Sequence, residues 1–212
     1  MPVYPIPVML TNLQPLCIAI ILLLVVPGCT TPQQMDATEE QMTPEVELPE
    51  RLNLVASTAG RDIDRGGQLD LISDADGENT LILWVSTGCS GCHDWTEMIA
   101  GAMLDGNISN DTRIITVHRY PSFESRDEVI AVYASKNSST QSLWPVLIPS
   151  DGQPAIDMAT GQDTEYDYTI AFANPATPSF TLIDGDGKTV WKNKTYWANQ
   201  TLLSEAIELL ES

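Results

Sequence analysis

The stretch LILWVSTGCSGCHDWTEM, residues 81–98, joins an aliphatic run to a pair of cysteines and then to a helical pattern. The segment 80–86 is short and almost continuously apolar, which is typical of a strand covered on both faces. After it, Cys92, Trp95 and Ile99 recur at helical spacing. The sequence therefore predicts that the cysteine pair lies where a buried strand passes into a helix.

The pentapeptide Cys89-Ser90-Gly91-Cys92-His93 has three chemical interpretations. A C-x-x-C-H pattern attaches c-type haem, paired cysteines bind metal ions, and a C-x-x-C pair cycles between dithiol and disulfide. Structural zinc needs four ligands, and the predicted domain supplies only these two cysteines and two histidines. Soft paired thiolates also suit copper(I). The pentapeptide alone leaves these interpretations open.

The remaining pattern predicts alternating strands and helices. Segment 52–57 alternates loosely and is expected as an edge strand, and Asp184-Gly185-Asp186-Gly187 is a strong hairpin signal. The other expected elements are strands at 113–118, 144–148, 179–183 and 188–192 and helices at 125–135 and 199–210. This order predicts an α/β fold in which helices flank a central mixed β-sheet.

A second motif lies far downstream, where Thr177-Pro178 directly precedes the strand segment SFTLI. The phrase ATPSFTLIDGDGK, residues 176–188, is similar to membrane-anchored extracytoplasmic thioredoxins of the TlpA/ResA type, in which a TP-x-x-x-L-I-D-x-D-G segment leads into the last hairpin. Together with the cysteine pair at the first strand-to-helix junction, it resembles the thioredoxin-like superfamily from about residue 69 onward. The resemblance implies a thioredoxin-like fold and thiol-disulfide oxidoreductase activity.

The resemblance also implies roles for particular residues. Cys89 and Cys92 would form the redox disulfide, and a cis-proline at Pro178 would leave the backbone of Thr177 free to pair with a polypeptide substrate. Two positions depart from the family. Gly88 stands where a tryptophan usually precedes the first cysteine, and Leu83 stands where cytoplasmic thioredoxins bury an aspartate. The proton acceptor for Cys92 is therefore unassigned.

The position of each cysteine predicts its role. Cys89, at the exposed N-terminus of the helix, gains from the helix dipole and unpaired N–H groups and is the expected nucleophile. Cys92, one turn further in on the apolar face, would resolve the mixed disulfide. His93 either modulates the thiolate or is a surface residue of the first turn. His118, at a strand end, lies at the same sheet edge in this fold.

The first fifty residues predict export. The run 16–26 is apolar and too short for a spanning helix, and no charged residue precedes Asp36. Gly28-Cys29 then resembles the lipobox of secreted lipoproteins. We therefore expect a signal peptide at 1–28, a lipidated Cys29 starting a flexible acidic linker at 29–50, and a thioredoxin-like domain at 51–212.

The net charge and the glycosylation sequons indicate which partners and modifications the chain can have. The formal net charge is -19, which opposes binding to nucleic acid. Five N-x-[ST] triplets predict glycosylation if the host performs it, and they begin at Asn107, Asn110, Asn137, Asn193 and Asn199.

The sequence thus predicts a lipid-anchored, monomeric oxidoreductase on the extracytoplasmic face of the membrane, without metal or other cofactor. Its partners would be cysteine-containing proteins and a membrane or extracytoplasmic electron donor. The alternative is a copper(I)-binding chaperone of the same fold without redox turnover.

Overall fold

A five-stranded mixed sheet lies at the centre of residues 47–212, the part of the chain that this computed structural model describes. The predicted signal peptide and Cys29 lie outside the described residues. The strands are β1 (Leu52–Asn53), β2 (Val55–Ser57), β3 (Gln68–Asp70), β4 (Thr80–Val85), β5 (Ile114–His118), β6 (Val146–Leu147), β7 (Pro154–Asp157), β8 (Gln162–Asp167), β9 (Ser179–Ile183) and β10 (Thr189–Asn193). The helices are α1 (Ser90–Leu104), α2 (Arg126–Val129), α3 (Tyr168–Ala171) and α4 (Gln200–Leu210).

The central sheet has the strand order β10-β9-β4-β5-β6. Strands β4, β5 and β6 run parallel, whereas β9 is antiparallel to both β4 and β10. Helices flank this sheet, so the predicted α/β class and mixed sheet are confirmed. The parallel pairing places the carboxyl ends of β4 and β5 at one edge, with Val85 opposite His118.

The position of β4 between two hydrophobic cores explains why its sequence is apolar throughout. All six of its residues are buried, because Leu83 and its same-face neighbours pack under α1 and α4 while Ile82 and Trp84 pack into a second core on the opposite face. Full burial of one such aliphatic side chain stabilises the fold by about 1.5–3 kcal/mol. The strand that leads into the cysteine pair is therefore held from both sides.

The helices begin and end near the predicted positions. Cys89 is the N-cap of α1, and Gly106 follows its end at φ +75°, a conformation that glycine adopts without steric cost. Asn199 caps α4 by accepting a hydrogen bond from the Leu202 N–H. The segment predicted as one helix at 125–135 is α2 followed by a π-helical turn, Ile130–Ala134.

The small sheets differ from the expectation. Segment 52–57, expected as one edge strand, forms two strands, because β1 pairs with β7 whereas β2 pairs with β3. The hairpin of β7 and β8 was not predicted. Its second strand consists of polar residues and Tyr166, none of them fully buried, so it carries no alternating hydrophobic pattern.

Candidate active site

The two cysteines lie at the start of α1 and are joined by a disulfide bond. The Cys89 Sγ also accepts a hydrogen bond from the backbone N–H of Cys92, at 3.1 Å. Cys89 retains 8% of its surface accessibility, whereas Cys92 is fully buried in the core beneath α1. Of the two cysteines, Cys89 is thus the more exposed.

The second predicted motif lies at the same edge of the sheet. The Thr177–Pro178 peptide bond is cis, as the resemblance implied. Pro178 directly precedes β9, whose first residue, Ser179, pairs with Trp84 near the end of β4. Pro178 is buried and Thr177 is half-buried. The sheet therefore brings the two sequence motifs together at one edge, while the role of Thr177 and Pro178 in substrate binding stays a prediction.

Three side chains hold the loop between β4 and the cysteines. The Tyr133 hydroxyl donates to the Ser86 carbonyl at 2.7 Å, and the Glu124 Oε2 accepts the Thr87 N–H at 2.9 Å. The Nε2 of His93 lies 2.8 Å from the Thr87 carbonyl, so its proton is on that nitrogen. Both polar backbone groups of Thr87 are thereby satisfied by side chains.

Glu124 also bonds a buried histidine. The Nε2 of His118 lies 2.8 Å from the same Glu124 Oε2, and the Nδ1 of His118 is buried without a partner. Burial lowers the pKa of His118, against the opposing pull of Glu124. Burial also raises the pKa of Glu124, but the hydrogen bonds from Thr87 and His118 outweigh it and hold that pKa below its usual range.

Glu124 was not among the residues predicted from the sequence, although its place in the chain could have indicated it. It follows β5 by a few residues, and the carboxyl ends of adjacent parallel strands meet at one edge of a sheet. A carboxylate just beyond the end of β5 is therefore a candidate neighbour of the loop that follows β4.

The segment between β10 and α4 covers the first turn of α1. The Tyr196 carbonyl lies so close to Gly91 that a Cβ at that position would overlap it. The Trp95 Nε1 donates to the Thr195 carbonyl, and Asp94 accepts the Ala198 N–H, both at 2.9 Å. Tyr196 itself is exposed, as is Trp197 at 60%, so an aromatic pair borders the cysteine motif.

Three other residues were singled out from the sequence: His93, Leu83 and Gly88. His93 packs edge-on against Tyr133, with ring centroids 5.9 Å apart, and its modulating role stays a prediction. Leu83 is fully buried among apolar side chains, so position 83 provides no acidic group. The space beside Gly88 is open, and the usual tryptophan of the family has no counterpart there.

Within residues 47–212, no group of three or more His, Cys, Asp or Glu side chains is gathered as metal ligands would be. None of the helices described there combines the length and apolar character needed to cross a membrane. Of the five sequon asparagines, Asn193 is half-buried and the other four are exposed.

Comparison with known proteins gives structural likeness only. No protein-family model matches the chain, and a search of curated proteins found no match. Among solved structures, the thioredoxin domain of a thiol-disulfide oxidoreductase from Bacteroides vulgatus is 16% identical, with a TM-score of 0.50 over 78% of this chain and 99% of that one. A hypothetical protein from Sinorhizobium meliloti is also 16% identical, with a TM-score of 0.53 over 78% of this chain and 85% of its own.

Proposed function

This chain has a thioredoxin-like fold, and from that premise we propose that it is a thiol-disulfide oxidoreductase acting on protein cysteines. One observation carries the proposal: the Cys89–Cys92 disulfide stands at the N-cap of α1, with Cys89 8% exposed and Cys92 fully buried. That asymmetry suits a reaction in which one sulfur meets the substrate and the other completes the exchange.

The exchange uses only the two sulfurs. In the reduced form, the Cys89 thiolate attacks a substrate disulfide, forms a mixed disulfide and releases one substrate sulfur as a thiolate. The Cys92 thiolate then attacks the Cys89 Sγ, closes the Cys89–Cys92 bond and releases the second substrate sulfur. Two electrons pass to the substrate, and reversing the steps passes them back to the chain.

The helix N-terminus supports Cys89 as the nucleophile. Its sulfur already accepts the Cys92 N–H, and in the thiolate form the same N–H and the helix dipole would stabilise its negative charge. Cys92 is fully buried, and its sulfur is bonded to that of Cys89 in the oxidised form. This order of events matches the exposure of the two residues.

Substrate binding is proposed at Thr177 and Pro178. Proline has no N–H, and the residue lies at the sheet edge where β4 enters the cysteine loop. An extended substrate segment can pair with the backbone of Thr177 and so bring its own cysteine to Cys89.

We also propose that the domain is exported and lipid-anchored through Cys29, facing an extracytoplasmic electron donor as a monomer. The support lies in the apolar run at 16–26 followed by Gly28-Cys29 and in the acidic, proline-containing linker. Cys29→Ser tests the anchor: the variant should move from the membrane to the soluble fraction, whereas a membrane-bound variant argues for another anchor.

Trapping tests the activity directly. Cys92→Ser should accumulate mixed disulfides between Cys89 and envelope proteins, because the resolving sulfur is gone. Cys89→Ser is the matched control and should trap none. Equal yields from both variants, or no trapped protein from Cys92→Ser, would contradict the proposal.

The reduction potential of the Cys89–Cys92 pair should be measured on the purified chain. A glutathione series should show a reversible two-electron equilibrium at Cys89–Cys92. A stoichiometric copper ion that survives dialysis, without reversible redox exchange, would instead support the copper(I) chaperone.

A further inference from the structure

Glu124 carries an unusual combination of contacts for a residue outside the cysteine motif. One oxygen, Oε2, accepts both the Thr87 N–H and the Nε2 proton of His118. Thr87 lies two residues before Cys89, in the loop that sets the position of the sulfur. A partly buried negative charge is therefore bonded to the segment that enters the reactive cysteine.

His118 completes the pair in a defined protonation state. A carboxylate can only accept hydrogen bonds, so Nε2 of His118 carries the proton between the two side chains. Burial lowers the pKa of His118 and so favours the neutral ring, in which Nδ1 is unprotonated. That Nδ1 is buried without a partner. The neutral histidine and ionised Glu124 together carry one negative charge and can take up one proton.

We propose that Glu124 and His118 form a proton-accepting pair that positions the segment entering Cys89 and sets how strongly reduction of the dithiol depends on pH. The inference rests on the proposed function, because it concerns the Cys89–Cys92 couple. Glu124 is a positioning residue: its hydrogen bond to Thr87 holds the segment, and its charge acts on Cys89 through space.

Glu124 and His118 affect reduction of the disulfide because the reduced sulfurs can carry negative charge. Two glutathione molecules reduce the disulfide by breaking the Cys89–Cys92 bond and forming one glutathione disulfide. The two electrons stay on the two sulfurs, and each sulfur either keeps a negative charge or binds a proton. Negative charge on Cys89 is opposed by the Glu124 carboxylate, which is bonded to the backbone two residues before that cysteine. A proton bound by the pair removes that opposition, so acid favours the reduced form.

Few other groups near Glu124 can titrate in this way. The neighbours are His118 on β5, Tyr133 on the π-helical turn and, across Thr87, His93 on α1 and the cysteines themselves. Burial and the charge of Glu124 raise the pKa of Tyr133, whose hydroxyl donates to Ser86 and stays neutral. Within residues 47–212, His118 is the only basic side chain at ion-pair distance from Glu124.

Glu124→Gln separates charge from position. Both hydrogen bonds end on one oxygen, so the glutamine Oε1 can accept them both while the charge is lost. Against glutathione at neutral pH, the equilibrium constant for reduction should rise about tenfold, a potential about 30 mV more positive, because the thiolate loses a nearby like charge. The pH dependence of the potential should also flatten.

Glu97→Gln is the matched control, because it removes the same charge from an exposed position on α1. Its equilibrium constant should stay within about twofold of the unmodified chain. A shift equal to that of Glu124→Gln would overturn the inference, as would an unchanged potential and pH profile in Glu124→Gln.

A further measurement, of potential against pH, keeps the outcomes distinct. Both the unmodified chain and His93→Gln should show a change of slope in potential against pH that the two cysteines do not account for, so the inference survives poor folding of a Glu124 variant. A straight dependence on the cysteines alone would overturn it. If the unmodified chain forms no reversible redox couple, the proposed function itself fails. If the couple is reversible and Glu124→Gln has the same potential and pH dependence as the unmodified chain, only this inference fails.

Discussion

Gly91 lies directly beneath the backbone carbonyl of Tyr196, although the two residues belong to distant parts of the chain. The contact joins the middle of the cysteine motif to the segment before α4. It explains why this motif has glycine in its second intervening position: any side chain there would meet backbone rather than a flexible group.

Gly91→Ala should therefore destabilise the oxidised protein by about 1–3 kcal/mol, the usual cost of overpacking a tight contact. The reason is that the Tyr196 backbone must move to admit the methyl group. Chemical unfolding of the oxidised chain measures the loss. Gly88→Ala is the matched control, since the space beside Gly88 is open. Equal stability of the two variants would show that the backbone at Tyr196 can shift without a measurable cost in free energy.

The ion pair of Arg61 and Asp64 makes a second stability prediction. Asp64 is fully buried and accepts hydrogen bonds from the Arg61 guanidinium and from the Val146 N–H. Asp64→Asn leaves the guanidinium without its charge partner, so we expect a loss of about 3–5 kcal/mol in the free energy of unfolding. Asp62→Asn, at an exposed neighbouring position, should change it little. Similar losses would mean that the buried pair is not the cause.

Acid should weaken the fold through His118. Burial, opposed in part by Glu124, lowers its pKa in the folded state, so below about pH 6.5 the unfolded chain binds a proton that the folded chain does not. The free energy of unfolding therefore falls as pH drops below that value, until the folded-state pKa is reached. Urea unfolding at a series of pH values measures the slope.

His118→Gln is the companion variant, because glutamine offers Glu124 an N–H donor but does not titrate. Its unfolding free energy should fall less steeply between neutral and mildly acid pH. Glu124 acts in the same direction, since its lowered folded-state pKa gives stability that is lost as pH falls through that pKa. If the unfolding free energy of His118→Gln fell with pH as steeply as that of the unmodified chain, groups other than His118 would cause the acid sensitivity.

Alkylation should distinguish the two cysteines. After reduction, iodoacetamide should label Cys89 well before Cys92, because Cys92 is fully buried and Cys89 is not. Peptide mass spectrometry at early times gives the order. In Cys89→Ser, the remaining Cys92 should be labelled fully only in denaturant. Rapid native labelling of Cys92 would show that reduction opens the core beneath α1.

The sequence predicted the elements that have a hydrophobic pattern of their own. Strand β4 is apolar on both faces and α1 repeats at helical spacing, so both could be placed, and the cysteine pair with them. Strand β8 has polar side chains apart from Tyr166, which packs against the second core, and it pairs with β7 through its backbone, so it shows no alternating hydrophobic pattern. Its position could not have been predicted in that way.

The neighbours of the cysteines were harder to predict than the cysteines. Glu124 meets Thr87 only because β4 and β5 pair in parallel, and Tyr196 meets Gly91 only after the last hairpin has turned the chain back. Such contacts depend on the folded topology. The cis bond at Pro178 was predicted because the family resemblance supplied it, not because the residues alone did.

The contact of Tyr196 with Gly91 has a consequence for the order in which the chain is made. Synthesis proceeds from the N-terminus, so Cys89 and Cys92 emerge long before the Thr195–Ala198 segment that covers their helix. A growing chain therefore displays two thiols without their cover. The site becomes complete only when the last helix docks, which makes the newborn chain, rather than the finished one, the form most exposed to wrong disulfide partners.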